Sequence, residues 1–238
     1  MRRLLKVCSP MLVTWMLAAC GSLPPQAFDH SARATVKRIE LVPLGTPEHT
    51  EVRIMNPIGA GFGLVGNFVE SRRAAGASQE MEKTLAAARF DFRSSLASSI
   101  ARAIAKTGFI LSRDAGERPD HEHARFLSKY PPAKKTDAYL DVYATYVGFE
   151  ATQSSTAYKP RLELAARLVR AKDNLILFQD RIVYGDAADV DEDAVFVKAD
   201  ESLSFRSRAS LQADPTRTAR ALQSAIDATA WELAKQFM

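Results

Sequence analysis

The sequence predicts an α+β fold: a mostly antiparallel sheet with two main helices packed on one face, after a cleaved signal peptide. Three observations predict it. Apolar residues recur at steps of three or four through 78–107 and again after Pro215, which is helical spacing. Three segments after residue 137 alternate apolar with polar side chains, as half-buried antiparallel strands do. The first twenty residues run from a basic start through an apolar middle to small residues.

Residues 1–19 read as the signal peptide. Arg2, Arg3 and Lys6 precede an apolar stretch that contains Pro10. That stretch is shorter than the roughly 20 residues a spanning helix needs. The ending Leu17-Ala18-Ala19-Cys20-Gly21 resembles the bacterial lipobox. The resemblance implies that the Cys20 thiol takes a diacylglyceryl group and that the chain is cut before it. The new amino group then takes an acyl chain such as palmitate, and two lipids suffice for stable anchoring. No Asp follows Cys20 at the second position, which resembles outer-membrane sorting. Cys8 leaves with the signal, so the mature chain has no free thiol, and cysteine nucleophiles, cysteine-bound zinc and disulfides are excluded.

The signal also carries away three of the 32 basic residues and none of the 28 acidic ones. The mature chain is close to neutral, and no nucleic-acid partner is expected. With 47% hydrophobic and 25% charged residues the composition is globular.

Residues 20–33, with Pro24-Pro25, read as a lipidated tether, and 34–238 as one periplasmic domain. Strands are expected at 36–44 and 49–55. A glycine-rich apolar run, 59–66, follows. One helix is expected over 78–107, with Met81, Leu85, Ala88, Phe92, Leu96, Ile100 and Ile104 on its inner face and Gly108 as its stop. A short strand at 109–111 precedes a long polar surface loop, 113–136. Strands follow at 138–147 (Leu140, Val142, Ala144 and Tyr146 inward), 161–171 and 175–184. Lys172-Asp173-Asn174 joins the last two as a hairpin. The segment 185–201 is acidic and irregular. Asp214 caps a final helix whose inner stripe is Leu222, Ala225, Ile226, Thr229, Leu233 and Phe237.

Candidate chemistry is sparse. Gly61-x-Gly63-x-x-Gly66 matches a dinucleotide fingerprint by letter, but the alternating strand–helix pattern that fingerprint requires does not follow. The run therefore reads as a packed or flexible connection, or as a surface that meets a partner or the membrane through Phe62, Leu64, Val65 and Phe68. His121-Glu122-His123 lacks further recognisable metal ligands and reads as a solvated loop. Asp189, Asp191 and Asp193 with Asp200 imitate a calcium loop, but Ala194 stands where its glycine is needed. No cofactor and no metal are expected. No nucleophile elbow or zinc-protease motif occurs.

The lipobox, the helix ending Thr107-Gly108-Phe109, the run Asp137-Ala138-Tyr139-Leu140-Asp141-Val142, the hairpin into Leu175-Ile176-Leu177-Phe178 and the Ala-rich last helix together form a pattern. It resembles small bacterial envelope lipoproteins of the curli-secretion-protein and penicillin-binding-protein-activator type, and transport-auxiliary lipoproteins. The run 59–66 and the loop 113–136 depart from it. The resemblance implies a non-catalytic outer-membrane lipoprotein, facing the periplasm, that binds an envelope protein or itself in transport, assembly or cell-wall maintenance. The alternatives are a periplasmic hydrolase and a carrier of an apolar ligand.

Overall fold

The computed structural model describes residues 24–54, 76–132, 135–152, 155–186, 190 and 192–238. Among the described residues seven strands form one sheet: β1 (Arg38–Leu41), β2 (Glu51–Ile54), β3 (Ile110–Arg113), β4 (Ala138–Thr152), β5 (Ser155–Arg170), β6 (Ile176–Gly185) and β7 (Val195–Lys198). The helices are α1 (76–87), α2 (Phe92–Ala105), α3 (Arg208–Ala213) and α4 (Pro215–Lys235).

The sheet order is β3-β1-β4-β5-β6-β7, with β2 also on β4. The expectation of a mostly antiparallel sheet is corrected: the sheet is mixed. β4–β5 and β5–β6 are antiparallel, whereas β1–β3, β1–β4, β2–β4 and β6–β7 are parallel. Alternation reports which face a side chain takes but carries no information on strand direction. The two expected N-terminal strands are successive pieces along one edge of β4. Ile39 opposes Ala138, Gly45 bridges Tyr143, and Glu51 opposes Gly148. β7 lies in the segment expected to be irregular.

One face of the sheet carries the helices. Leu140, Val142, Phe149, Leu164, Leu168 and Ile182 pack in one cluster with Leu96, Ile100, Ile104, Leu222, Ile226 and Leu233. Burying each such side chain contributes about 1.5–3 kcal/mol. The whole expected stripe of α4 is buried, capped by Asp214, whose carboxylate accepts the Arg217 N–H at 2.9 Å. In β4 a bulge between Ala144 and Tyr146 inverts the parity, so Val147, Phe149 and Ala151 turn inward. Tyr146, expected inward, therefore faces the other side.

The single helix expected over 78–107 is two. Arg89 adopts φ 52°, its N–H bonds the Ala86 carbonyl, and the Phe90 N–H reaches back to Leu85. These are the two bonds of a Schellman stop, with arginine where glycine usually sits. Asp91 then caps α2 through the Ser94 N–H at 2.6 Å.

Residues 26–29 lie along the free edge of β6. Gln26 and Gln179 exchange backbone bonds of 2.7 and 3.0 Å, and Asp29 N–H donates to Leu177. Phe28 enters the core beside Phe109 and Phe237, with ring centroids 6.3 and 5.4 Å away. Among the described residues no helix is long and apolar enough to cross a membrane.

Candidate functional site

The second face of the sheet holds the polar residues. At its centre Asp141 and Arg118 form an ion pair at 2.9 Å with both side chains fully buried. Arg118 also donates to the carbonyls of Glu122, Pro43 and Arg125. The other Asp141 oxygen accepts the Leu127 N–H at 2.7 Å and the Tyr130 hydroxyl at 3.0 Å. Burial first, and then the negative Asp141, pushes the Tyr130 hydroxyl pKa up. Tyr130 stacks on Tyr139, 5.5 Å between centroids. The segment 113–136, expected as a solvated surface loop, is thus fastened to the sheet. It covers the face that Asp141 and Tyr143 would otherwise present to water.

That fastening positions a cleft. Gly45 lets the His123 carbonyl cross the start of the loop: a Cβ there would lie 2.3 Å from that oxygen and 2.5 Å from Tyr143 Cβ. Next to the crossing, Thr46, Pro47, Glu48, Arg93, Asp120 and His123 line an open space of about 580 Å³. Arg93 donates to the Thr46 hydroxyl at 3.0 Å, and His123 Nε2 lies 3.5 Å from the Asp120 carboxylate. The cleft brings together an imidazole, a guanidinium, a hydroxyl and two exposed carboxylates. Chemically it can exchange a proton and bind small polar groups of either sign.

The three residues 121–123 part company on the short 3₁₀ turn. His121 points to solvent, His123 enters the cleft, and Glu122 is buried. Hydrogen bonds from Ser128 hold the Glu122 carboxyl below its ordinary range against its burial. Among the described residues no group of three or more His, Cys, Asp or Glu is placed to hold a metal. Asp200, read as part of a calcium-like loop, accepts the Ser202 N–H and caps a 3₁₀ turn; Asp189 and Asp191 lie outside the described residues.

A second polar lattice, which sequence reasoning missed, sits at the other end of β4. Glu150 binds Arg53 at 2.8 Å and Arg161 at 3.0 Å, and Arg161 binds Glu163 at 2.7 Å. The Arg53 guanidinium lies 4.0 Å over the Tyr146 ring. Two acids and two arginines balance, and the bulge that turns Tyr146 outward builds the platform.

Two shallower clefts open along the α2–α4 seam, of about 310 and 230 Å³. They share Arg102 and Asp227, which pair at 2.8 Å. The candidate residues Cys20, Phe62, Leu64, Val65 and Phe68 all lie outside the described residues, as does the glycine fingerprint.

No protein-family model matches the chain, and no curated protein matches it in sequence. Among solved structures it is similar to protein XCC0632 from Xanthomonas campestris, described by the family model DUF330. That likeness has 11% identity over 90% of this chain and 85% of that one, with a TM-score of 0.42. It is also similar to a PelC dodecamer from Paraburkholderia phytofirmans (9% identity, 92% and 99% covered, TM-score 0.39). A third likeness is to lipoprotein GNA1162 from Neisseria meningitidis (11% identity, 66% and 88% covered, TM-score 0.31).

Proposed function

We propose that the protein is a lipid-anchored outer-membrane lipoprotein whose α+β domain acts as a non-catalytic interaction or accessory component of the envelope, in transport, assembly or cell-wall maintenance. The observation that carries this reading is the junction between the lipobox and the fold. Pro24 is already docked, its carbonyl accepting from the Gln179 side chain at 2.9 Å, only four residues after Cys20. A cut before Cys20 leaves intact the described core, in which Phe28 meets Phe237. The partner is membrane lipid through Cys20, together with an envelope protein or a second copy of the chain.

Cys20→Ser tests the anchor. The variant is expected to stay unprocessed or to leave the membrane fraction, and unchanged mature mass with unchanged fractionation would overturn the reading. Cross-linking and pull-down from intact envelopes then identify what the domain touches.

A second reading, a periplasmic hydrolase, draws on one observation: His123, Asp120 and Glu48 share a cleft. Hydrolysis of ester or amide substrates that disappears in His123→Ala, with the fold retained, would favour it over the first.

A further inference from the structure

We infer that in the anchored protein the β6–β7 edge of the sheet lies against the bilayer, with Phe196 and Leu175 entering a zwitterionic headgroup layer; this rests on the Cys20-lipid reading above. The argument is one of reach. Pro24 is fixed on the β6 edge by the Gln179 side chain, and Gln26 by its two backbone bonds to the same residue. Cys20 stands four positions before Pro24, so its Cα is at most about 14 Å from the Pro24 Cα on that edge. The opposite edge, β3, is five strand spacings from β7, about 24 Å across the sheet. The leash is too short to bring β3 to the membrane while Gln26 stays docked.

The near edge has the chemistry of an interfacial surface. Residues 26–29 run antiparallel to β6, so the chain arrives between Leu175, just before β6, and Phe196 in β7. Leu175 is 48% exposed and Phe196 36%. Each has a lysine close by: Lys172 in the hairpin turn, and Lys198 two residues beyond Phe196 and so on the same side of the strand. Apolar side chains flanked by lysine stems suit the headgroup boundary. Glu192 and Asp193 precede β7, which argues for a zwitterionic rather than an anionic headgroup.

The mature chain has one tryptophan, Trp231, because Trp15 belongs to the signal. This makes fluorescence specific. In a Trp231→Phe background, Phe196→Trp, Leu175→Trp and Ile110→Trp place single reporters on the near edge, the hairpin and the far edge. Ile110 is 66% exposed on β3, so all three sites accept the ring at the surface. The lipidated chains are reconstituted in phosphatidylethanolamine–phosphatidylcholine vesicles containing brominated phosphatidylcholine, and flotation is scored first. The expected result is roughly a two-fold loss of emission at 196 and 175, from burial to a depth of about 5–10 Å, with none at 110. Flotation without quenching at either near site, or stronger quenching at 110, would overturn the orientation while leaving the anchor standing. Failure of the lipidated chain to float would defeat the anchor reading and this inference with it.

Discussion

Replacing Arg118 by Met tests how the long loop is held. Arg118 links Asp141 on β4 to the carbonyls of Pro43, Glu122 and Arg125. Met fills much of the volume but leaves the Asp141 carboxylate buried without its cation and takes the Arg118 donor from the Pro43 and Arg125 carbonyls, while the Glu122 carbonyl keeps the Arg125 N–H. Breaking a buried pair from one side costs about 3–5 kcal/mol. A domain of this size loses about 2–4 °C of Tm per kcal/mol, so the melting temperature should fall by roughly 6–20 °C. The assay is thermal unfolding by far-ultraviolet circular dichroism on residues 20–238 expressed without the signal and carrying Cys20→Ser, with limited proteolysis across 113–136. Arg118→Met/Asp141→Leu completes a cycle. Because the second change removes the orphaned charge, the double variant should be less destabilised than the sum of the singles by about 1 kcal/mol or more. A Tm within about 2 °C of the parent, or strict additivity, would show that the pair does not fasten the loop.

Ile100→Ala in α2 should cost about 2–5 kcal/mol, because the side chain is fully buried between sheet and α4, and a wild-type melt would mean the stripe does not pack there. Gly45→Ala should cost about 1–3 kcal/mol by pushing the His123 carbonyl off the strand, read as a lower melting temperature and a shifted His123 ring resonance. Glu122, held below its ordinary range chiefly by Ser128, contributes stability above the unfolded glutamate value and loses it as pH falls through its folded value. The stability gap between parent and Glu122→Gln should therefore shrink on acidification from about pH 7 to about pH 3, and a constant gap would refute the role.

Much of the core was legible because it depends on period alone. The stripe of α4 and the inward residues of β5 follow spacing that tertiary contacts then used. What was not legible depends on contacts between distant residues. The helix break at Arg89 lacks glycine, so its stop is visible only in the bonds to Leu85 and Ala86. The bulge after Ala144 has no glycine or proline marker, and it sent Tyr146 to the wrong face in the sequence reading. Parallel edges were hidden because alternation is blind to direction. The loop 113–136 offered one neglected signal. A segment of that length without structure is uncommon in a compact domain, and Arg118, Glu122 and Tyr130 within it were the means of burying it. The cleft at His123 could not be read, since Thr46, Arg93 and Asp120 meet only after the loop has crossed Gly45.

The two polar lattices explain how the long β4–β5 ladder keeps its register. Leu162, Leu164, Ala166 and Leu168 alternate so regularly that a slip of two residues would still present apolar side chains to the helices. A slip of one is forbidden by the change of face, but a slip of two is not. The polar residues remove that freedom. Arg161 on β5 reaches Glu150 on β4 while Gly148 opposes it, and Arg167 on β5, opposite Asp141, lies 4.0 Å over the Phe126 ring of the loop that Arg118 fastens. Gly148 has its own constraint, because a Cβ would lie 1.9 Å from the Glu51 carbonyl, so no other residue of β4 can occupy that point against β2. A two-residue slip of β5 against β4 would shift Arg161 from Glu150 and Arg167 from Phe126, and breaking a buried ion pair from one side costs about 3–5 kcal/mol. The apolar face thus supplies most of the stability, and the charged face selects which of the apolar alignments is the native one.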